Sequence, residues 1–238
     1  MIFGGIDGCK AGWLLITYES GNYDWEVVPK INDLTSCLNL KSRVFIDMPI
    51  GLASKEYPRT IEQVLRTELE NRSSTVFSVP VRAAVYEKNR DLAKQLNKEA
   101  TGKSLSEQSL NIKDKICEVD LFIRNCSSPI ELIESHPELC FKYLNGSILQ
   151  TKKSQKAGIE ERLSIINRYD PDCAKLFYEI LKNTLRKNVK PDDIADALVL
   201  CLANRLNSEQ QPDFLIDANL HDAFKIPIRI GYHNPESE

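Results

Sequence analysis

Residues 2 to 7 and 13 to 18 are apolar stretches on either side of a glycine-containing turn, and a third strand candidate, 23 to 28, follows Gly21 and Asn22. Short apolar runs bounded by turn residues predict strands, and three in succession predict an antiparallel meander. Asn32 is placed to cap a short helix carrying Leu34, Cys37 and Leu38. Val44, Phe45 and Ile46 form a fourth strand that runs into Asp47, Met48 and Pro49. From about residue 55 the period becomes helical: Pro58 suits a first turn, with Ile61, Val64, Leu65 and Leu69 on one face. The polar stretch NRSSTVFSVPVR interrupts it, and two more helical patterns follow. The second opens on Ser104 and Glu107, spaced as a capping box. Residues 55–128 therefore read as a helical insertion.

Strand character returns over 129–134, and 136–144 reads as a helix stopped by Gly146. Amphipathic helices are expected over 155–168 and 171–187, and then in KPDDIADALVLCLANRL. Residues 227–230 suit an edge strand, and the final NPESE suits a disordered end. This order predicts an α/β fold: a mixed five-stranded sheet, its first three strands antiparallel, flanked by helices in one domain spanning 1–238.

Three strands end in acids, Asp7, Asp47 and Glu134. Acids at the ends of neighbouring strands can share one small volume, where they repel unless a cation neutralises them. Asp193 and Asp196 lie one helical turn apart, as do Asp192 and Asp196, and the spacing leaves the choice open. Asp192, nearest the helix start, is the better capping candidate, which favours Asp193 and Asp196 for a metal face. Plainer roles stand beside each: an Asp-Gly hairpin turn at Asp7, a strand terminus at Asp47, and a helix-start acid at Glu134. His136 suits a structural hydrogen bond better than catalysis.

Composition narrows the chemistry. With 238 residues, 42% of them hydrophobic and 27% charged, the chain has a globular balance, and its net charge of −3 argues mildly against a nucleic-acid partner. Seven cysteines without a C-x-x-C pair point to a reducing, cytoplasmic setting. No apolar run is long enough to span a bilayer, and no leader pattern opens the chain. Three histidines at unhelpful spacings exclude a histidine-rich zinc site, so any bound metal needs oxygen ligands.

GIDGCKAGW, VFIDMPIGL, NRSSTVFSVPVR, IESHPELCF, TKKSQKAG and DDIADAL, in this order, resemble the predicted RNase H-like nuclease family (domain of unknown function 429), from the first strand to about Asn204. The resemblance implies an RNase H-like fold, with Asp7 as first-strand acid, Asp47 as fourth-strand acid, and Asp193 with Asp196 as the late-helix pair. Glu134 belongs to the family's own motif. It also implies two Mg²⁺ or Mn²⁺ ions about 4 Å apart around a scissile phosphate, with Asp7 bridging, and products carrying a 5′-phosphate and a 3′-hydroxyl. Among basic residues, Arg72, Arg82 and Lys153 recur in these motifs and are candidate substrate contacts, with Ser73 and Ser74 adding hydroxyls; Lys152 and Arg162 lie nearby in sequence. The expected activity is hydrolysis of phosphodiester bonds in nucleic acid or a nucleotide-containing substrate. Two alternatives stand: an ATP-binding phosphotransferase of the sugar-kinase and actin-like group, and a non-catalytic binding module on a nuclease-like scaffold. Oligomeric state is left open.

Overall fold

The structure is a computed structural model that describes residues 1–38, 41–125 and 129–237. Its sheet begins with β1 (Ile2–Cys9), β2 (Gly12–Glu19) and β3 (Asn22–Val28), joined antiparallel. A 3-10 turn (Ile31–Asp33) leads into α1 (Leu34–Cys37), followed by β4 (Ser42–Ile46). Next come α2 (Ile61–Leu69), a 3-10 stretch (Glu70–Thr75), α3 (Arg82–Tyr86), α4 (Arg90–Thr101) and α5 (Glu107–Asn125). The chain continues through β5 (Ile130–Glu134), α6 (Pro137–Asn145), α7 (Lys156–Tyr169), α8 (Pro171–Asn183) and α9 (Pro191–Leu206), then β6 (Asp213–His221) and β7 (Pro227–Tyr232). The expected five-stranded mixed sheet forms in the order β3-β2-β1-β4-β5, with β1, β4 and β5 parallel. Among the described residues no helix is long and apolar enough to cross a membrane.

The chain divides into two compact units. The first comprises Met1–Asp47, Ser127–Asp213 and Gly231–Glu238, and the second Met48–Cys126 with Phe214–Ile230.

In the first unit α9 lies directly on β1. A Cβ at Gly5 would stand 2.2 Å from the Cys201 nitrogen and 2.4 Å from the Ala197 carbonyl oxygen, so only glycine admits this approach. The helix is pinned lower down by Asn204, whose amide donates to the Gly4 and Arg43 carbonyls at 2.9 and 2.6 Å. The Arg43 guanidinium in turn donates to Asn204 Oδ1 at 2.7 Å. Ten consecutive α9 residues from Ile194 to Ala203 are buried and all but Asp196 are apolar, the pattern of a helix covered on every side.

In the second unit Ala53, Val81, Ala84, Ala93, Leu105 and Leu110 form a core cluster. Asp217 of β6 accepts from the amides of Thr60 and Ile61 at 2.5 and 2.6 Å, taking two of the free donors at the start of α2.

Several boundaries differ from the sequence reading. β1 and β2 close through the two-residue turn Lys10–Ala11, so Asp7 lies within a strand and not in the turn. α2 begins at Ile61 and not near Pro58, because its capping carboxylate is Asp217, far along the chain. Ser106, and not Ser104, caps α5 by accepting from the Ser109 amide at 3.1 Å, while Glu107 faces outward to Arg90 and Lys94. The Asp33 carboxylate accepts from the Lys30 amide at 3.0 Å at the start of the 3-10 turn, and Asp33, not Asn32, stands at the N-cap position of α1, without a side-chain cap hydrogen bond. α8 ends at Asn183, and β6 was not foreseen.

Candidate functional site

β1 and β4 are in parallel register with Ile6 opposite Ile46, so Asp7 and Asp47 each stand one residue beyond that pair. The Asp47 amide donates to the Ile6 carbonyl at 3.1 Å, which fixes the two acids side by side. Strand alternation gives Asp7 the same face as Gly5, the face on which α9 packs. The helix contributes Asp196, 1% exposed, and one turn earlier the half-buried Asp193.

Asp193 has a second duty. Its Oδ2 accepts from the Lys190 amide at 2.8 Å, so the cap of α9 is Asp193 and not Asp192. The reason is reach: Lys190 stands before Pro191, and a carboxylate at the third helical position folds back to that amide.

Electrostatics bind these groups together. The Asp7 carboxyl is held well above the usual carboxylate range by burial first, then by Asp47 and Asp196, against the opposing pull of Lys153. Burial pushes Asp47 up to about 6, with Lys153 opposing and Glu138 adding to the rise. Asp196 is raised by burial, again against Lys153. The Lys153 ammonium, held above its ordinary value by Asp196 foremost and then by Asp7 and Asp47, donates to Asp196 Oδ2. The other oxygen, Asp196 Oδ1, is buried and hydrogen-bonds no protein atom.

The loop that presents Lys153 is braced from below. A Cβ at Gly158 would stand 2.0 Å from the Lys152 carbonyl oxygen, so α7 can fold against this loop only through glycine. Arg162, fully buried, donates to the Gly158 carbonyl at 3.0 Å and to Glu138 of α6 at 2.5 Å. Arg162 is thus a structural cation and not a phosphate contact, and Glu138 joins the carboxylates that act on Asp47 and Asp196. Sequence reasoning missed Glu138, which looked like an ordinary first-turn acid after Pro137. A signal for Arg162 was present, since it shares the buried α7 face with Gly158, Ile165 and Ile166 and a charge there requires a buried partner.

Glu134 is placed differently. It pairs in register with Ile46, one residue short of the Asp47 level, and alternation gives it the opposite face of the sheet from Asp7 and Asp47. Ser135 stands at their level instead, its hydroxyl donating to the Gly231 carbonyl at 2.6 Å. His136 Nδ1 is buried without a protein partner, and burial pushes the imidazole down to about 4.

The remaining candidates belong to the second unit. Arg72, Ser73 and Ser74 lie in its 3-10 stretch. Arg82 begins α3 and is committed to ion pairs with Asp120 and Asp222, both at 2.7 Å, with Phe224 stacked under its guanidinium.

Whether this site suits a metal ion rests on two observations. The carboxylates of Asp7, Asp47 and Asp196, with one unpartnered oxygen at Asp196, are oxygen donors of the kind a hard divalent cation takes, and the Cys140 thiol and His136 imidazole lie close enough to act on the same group. Their present spacing does not close around one: among the described residues no group of three or more histidine, cysteine, aspartate or glutamate side chains stands where it could hold an ion.

A family model described as "Protein of unknown function (DUF429)" matches residues 5–217. No curated protein and no solved structure matches the chain.

Proposed function

Because the chain belongs to that family of proteins of unknown function, its own residues must supply the reading, and we propose that its acidic cluster serves metal-dependent hydrolysis of phosphodiester bonds. The substrate would be nucleic acid or a small molecule containing a nucleotide. The observation that carries the proposal is the mutual electrostatic pressure of Asp7, Asp47 and Asp196, three acids from separate segments of the chain, two buried and Asp47 half-buried, around one lysine.

Asp7, Asp47 and Asp196 would hold Mg²⁺ or Mn²⁺, with Asp193 at the margin. Two such ions, when bound, supply a nucleophile at neutral pH and stabilise the departing oxygen. The chain's own part is positioning. Asp7 and Asp47 are fixed by adjacent strands and Asp196 by a helix that cannot shift off β1, so the donors are placed before substrate arrives. Lys153 offers an ammonium to a phosphate oxygen. Glu134, on the other sheet face, is assigned no contact with the reacting atoms. A cytoplasmic setting is supported by the six free thiols among the described residues.

The test is a substrate panel. Purified protein with Mg²⁺ or Mn²⁺ is expected to cleave at least one of single-stranded DNA, duplex DNA, RNA, hybrid or branched substrates, leaving 5′-phosphate ends, and to lose that activity in EDTA. Phosphoryl transfer from ATP without cleavage would favour the phosphotransferase reading, and no divalent-ion binding at all would favour a binding module.

A further inference from the structure

We infer that Lys153 is the resident counter-cation of this site, and that a divalent ion enters only by displacing its ammonium from Asp196. The inference deepens the hydrolase reading and rests on it.

Lys153 donates to a carboxylate that is 1% exposed, while its own side chain is 40% exposed and opens to solvent. One oxygen of Asp196 is therefore occupied by the ammonium, and the other is buried without a partner. An ammonium satisfies acids by hydrogen bonds of roughly 2.7–2.9 Å and tolerates donors spread around it. A small divalent ion needs oxygens at about 2.1 Å converging on one point. That difference accounts for a cluster whose acids act on one another and on Lys153 yet form no group of three able to hold an ion among the described residues.

The charge balance supplies the driving force for exchange. One ammonium acts on three acids whose ionised forms are disfavoured by burial and, for Asp7 and Asp196, by one another; a dication favours those ionised forms more strongly than a monovalent lysine does. The exchange also needs little backbone movement. The loop below Lys153 is fixed by Gly158 against Lys152 and by the buried Arg162, so the motion falls to the exposed lysine side chain. Ion affinity is then a competition between the divalent cation and a tethered monovalent one, tuned by a single residue.

Titration calorimetry on EDTA-stripped protein with Mn²⁺ and with Mg²⁺ tests this directly. Lys153→Met keeps the length of the side chain and removes its charge. It is expected to bind Mn²⁺ at least about tenfold tighter than the unsubstituted protein, the low end of what one competing charge is worth in a partly screened site. Its ion-free melting temperature should fall, and saturating Mn²⁺ should restore it. Lys153→Arg, which keeps the charge, should bind ions within about threefold of the unsubstituted protein, and so should Lys152→Met on the exposed neighbour. If the unsubstituted protein binds Mn²⁺ and Lys153→Met binds no tighter, the inference fails while the hydrolase reading stands. If Lys153→Arg tightens binding as much as Lys153→Met, charge is not the cause and the inference fails. If neither the unsubstituted protein nor Lys153→Met binds an ion, both the inference and the hydrolase reading fail.

Discussion

Burial, Asp47 and Asp196 all oppose the ionised form of Asp7. Asp7→Asn keeps the shape and removes the charge, so two effects of opposite sign are expected. Metal-dependent cleavage should be abolished, and the ion-free protein should become more stable by about 1 kcal/mol, roughly 2–4 °C at this size, measured by thermal melts in EDTA. Asp47 adds a pH dependence whose sign follows from linkage. Its folded value near 6 lies above the ordinary 3.8, so between those values the folded state binds more protons than the unfolded state. Stability of the ion-free protein is therefore expected to fall as pH rises from about 4 to about 6, and Asp47→Asn should flatten that slope in urea titrations. The strand-end aspartates were legible because an acid closing an apolar run is conspicuous in sequence. Glu138 was not, because an acid after a helix-starting proline is ordinary, and only folding reveals that Arg162 reaches it across two helices. Removing one partner of that buried pair strands the other. Arg162→Met is expected to cost about 3–5 kcal/mol in chemical denaturation, with much of the loss recovered by adding Glu138→Gln.

At the level of elements, the decisive contact is α9 on β1, and its hinge residue is Gly5. A methyl group there meets backbone atoms of Ala197 and Cys201, which cannot rotate away as a side chain would. Gly5→Ala should therefore cost about 1–3 kcal/mol or more in urea denaturation. It should also weaken Mn²⁺ binding in calorimetry, because the helix must lift and carry Asp196 with it. Periodicity located both elements well, and spacing put Asp193 and Asp196 on one helix face. What it misassigned was the cap, which it gave to Asp192 as the aspartate nearest the helix start. The choice fell to Asp193 through the geometry of Lys190 and Pro191. Glu134 marks a second limit: a strand-end acid can be read from sequence, but the face it occupies depends on register, and here the pairing of Ile46 with Glu134 gives it the side opposite Asp47.

Across the whole molecule, the least legible part was the end of the chain. The family match ends at residue 217, and the segment from about residue 207 reads in sequence as a short edge strand and a loose tail. Yet β6 and β7 both lie there, and side chains of β6 and of the turn after it act on residues more than a hundred positions earlier. Asp217 caps α2 through Thr60 and Ile61, and Asp222 accepts from the Leu52 amide at 3.1 Å and from Arg82 at 2.7 Å. Such contacts leave no local trace, because an alternating strand sequence does not say which distant helix start its buried carboxylate will reach. The polar insertion motif with Arg82 was conspicuous in the sequence for its charge. A charge that suggests phosphate binding is here held by two carboxylates, one of them from this late segment. If the tail is integral to the second unit, its carboxylates should be felt locally. Asp217→Ala removes an acceptor from two helix-start amides and is expected to cost about 1–2 kcal/mol. Hydrogen exchange should locate that loss, with protection falling across residues 60–70 while the amides of Ile194 to Cys201 in α9 remain protected. Equal loosening of both regions would mean that the caps act on the fold as a whole, and unchanged protection at 60–70 would remove the late segment from any part in holding α2.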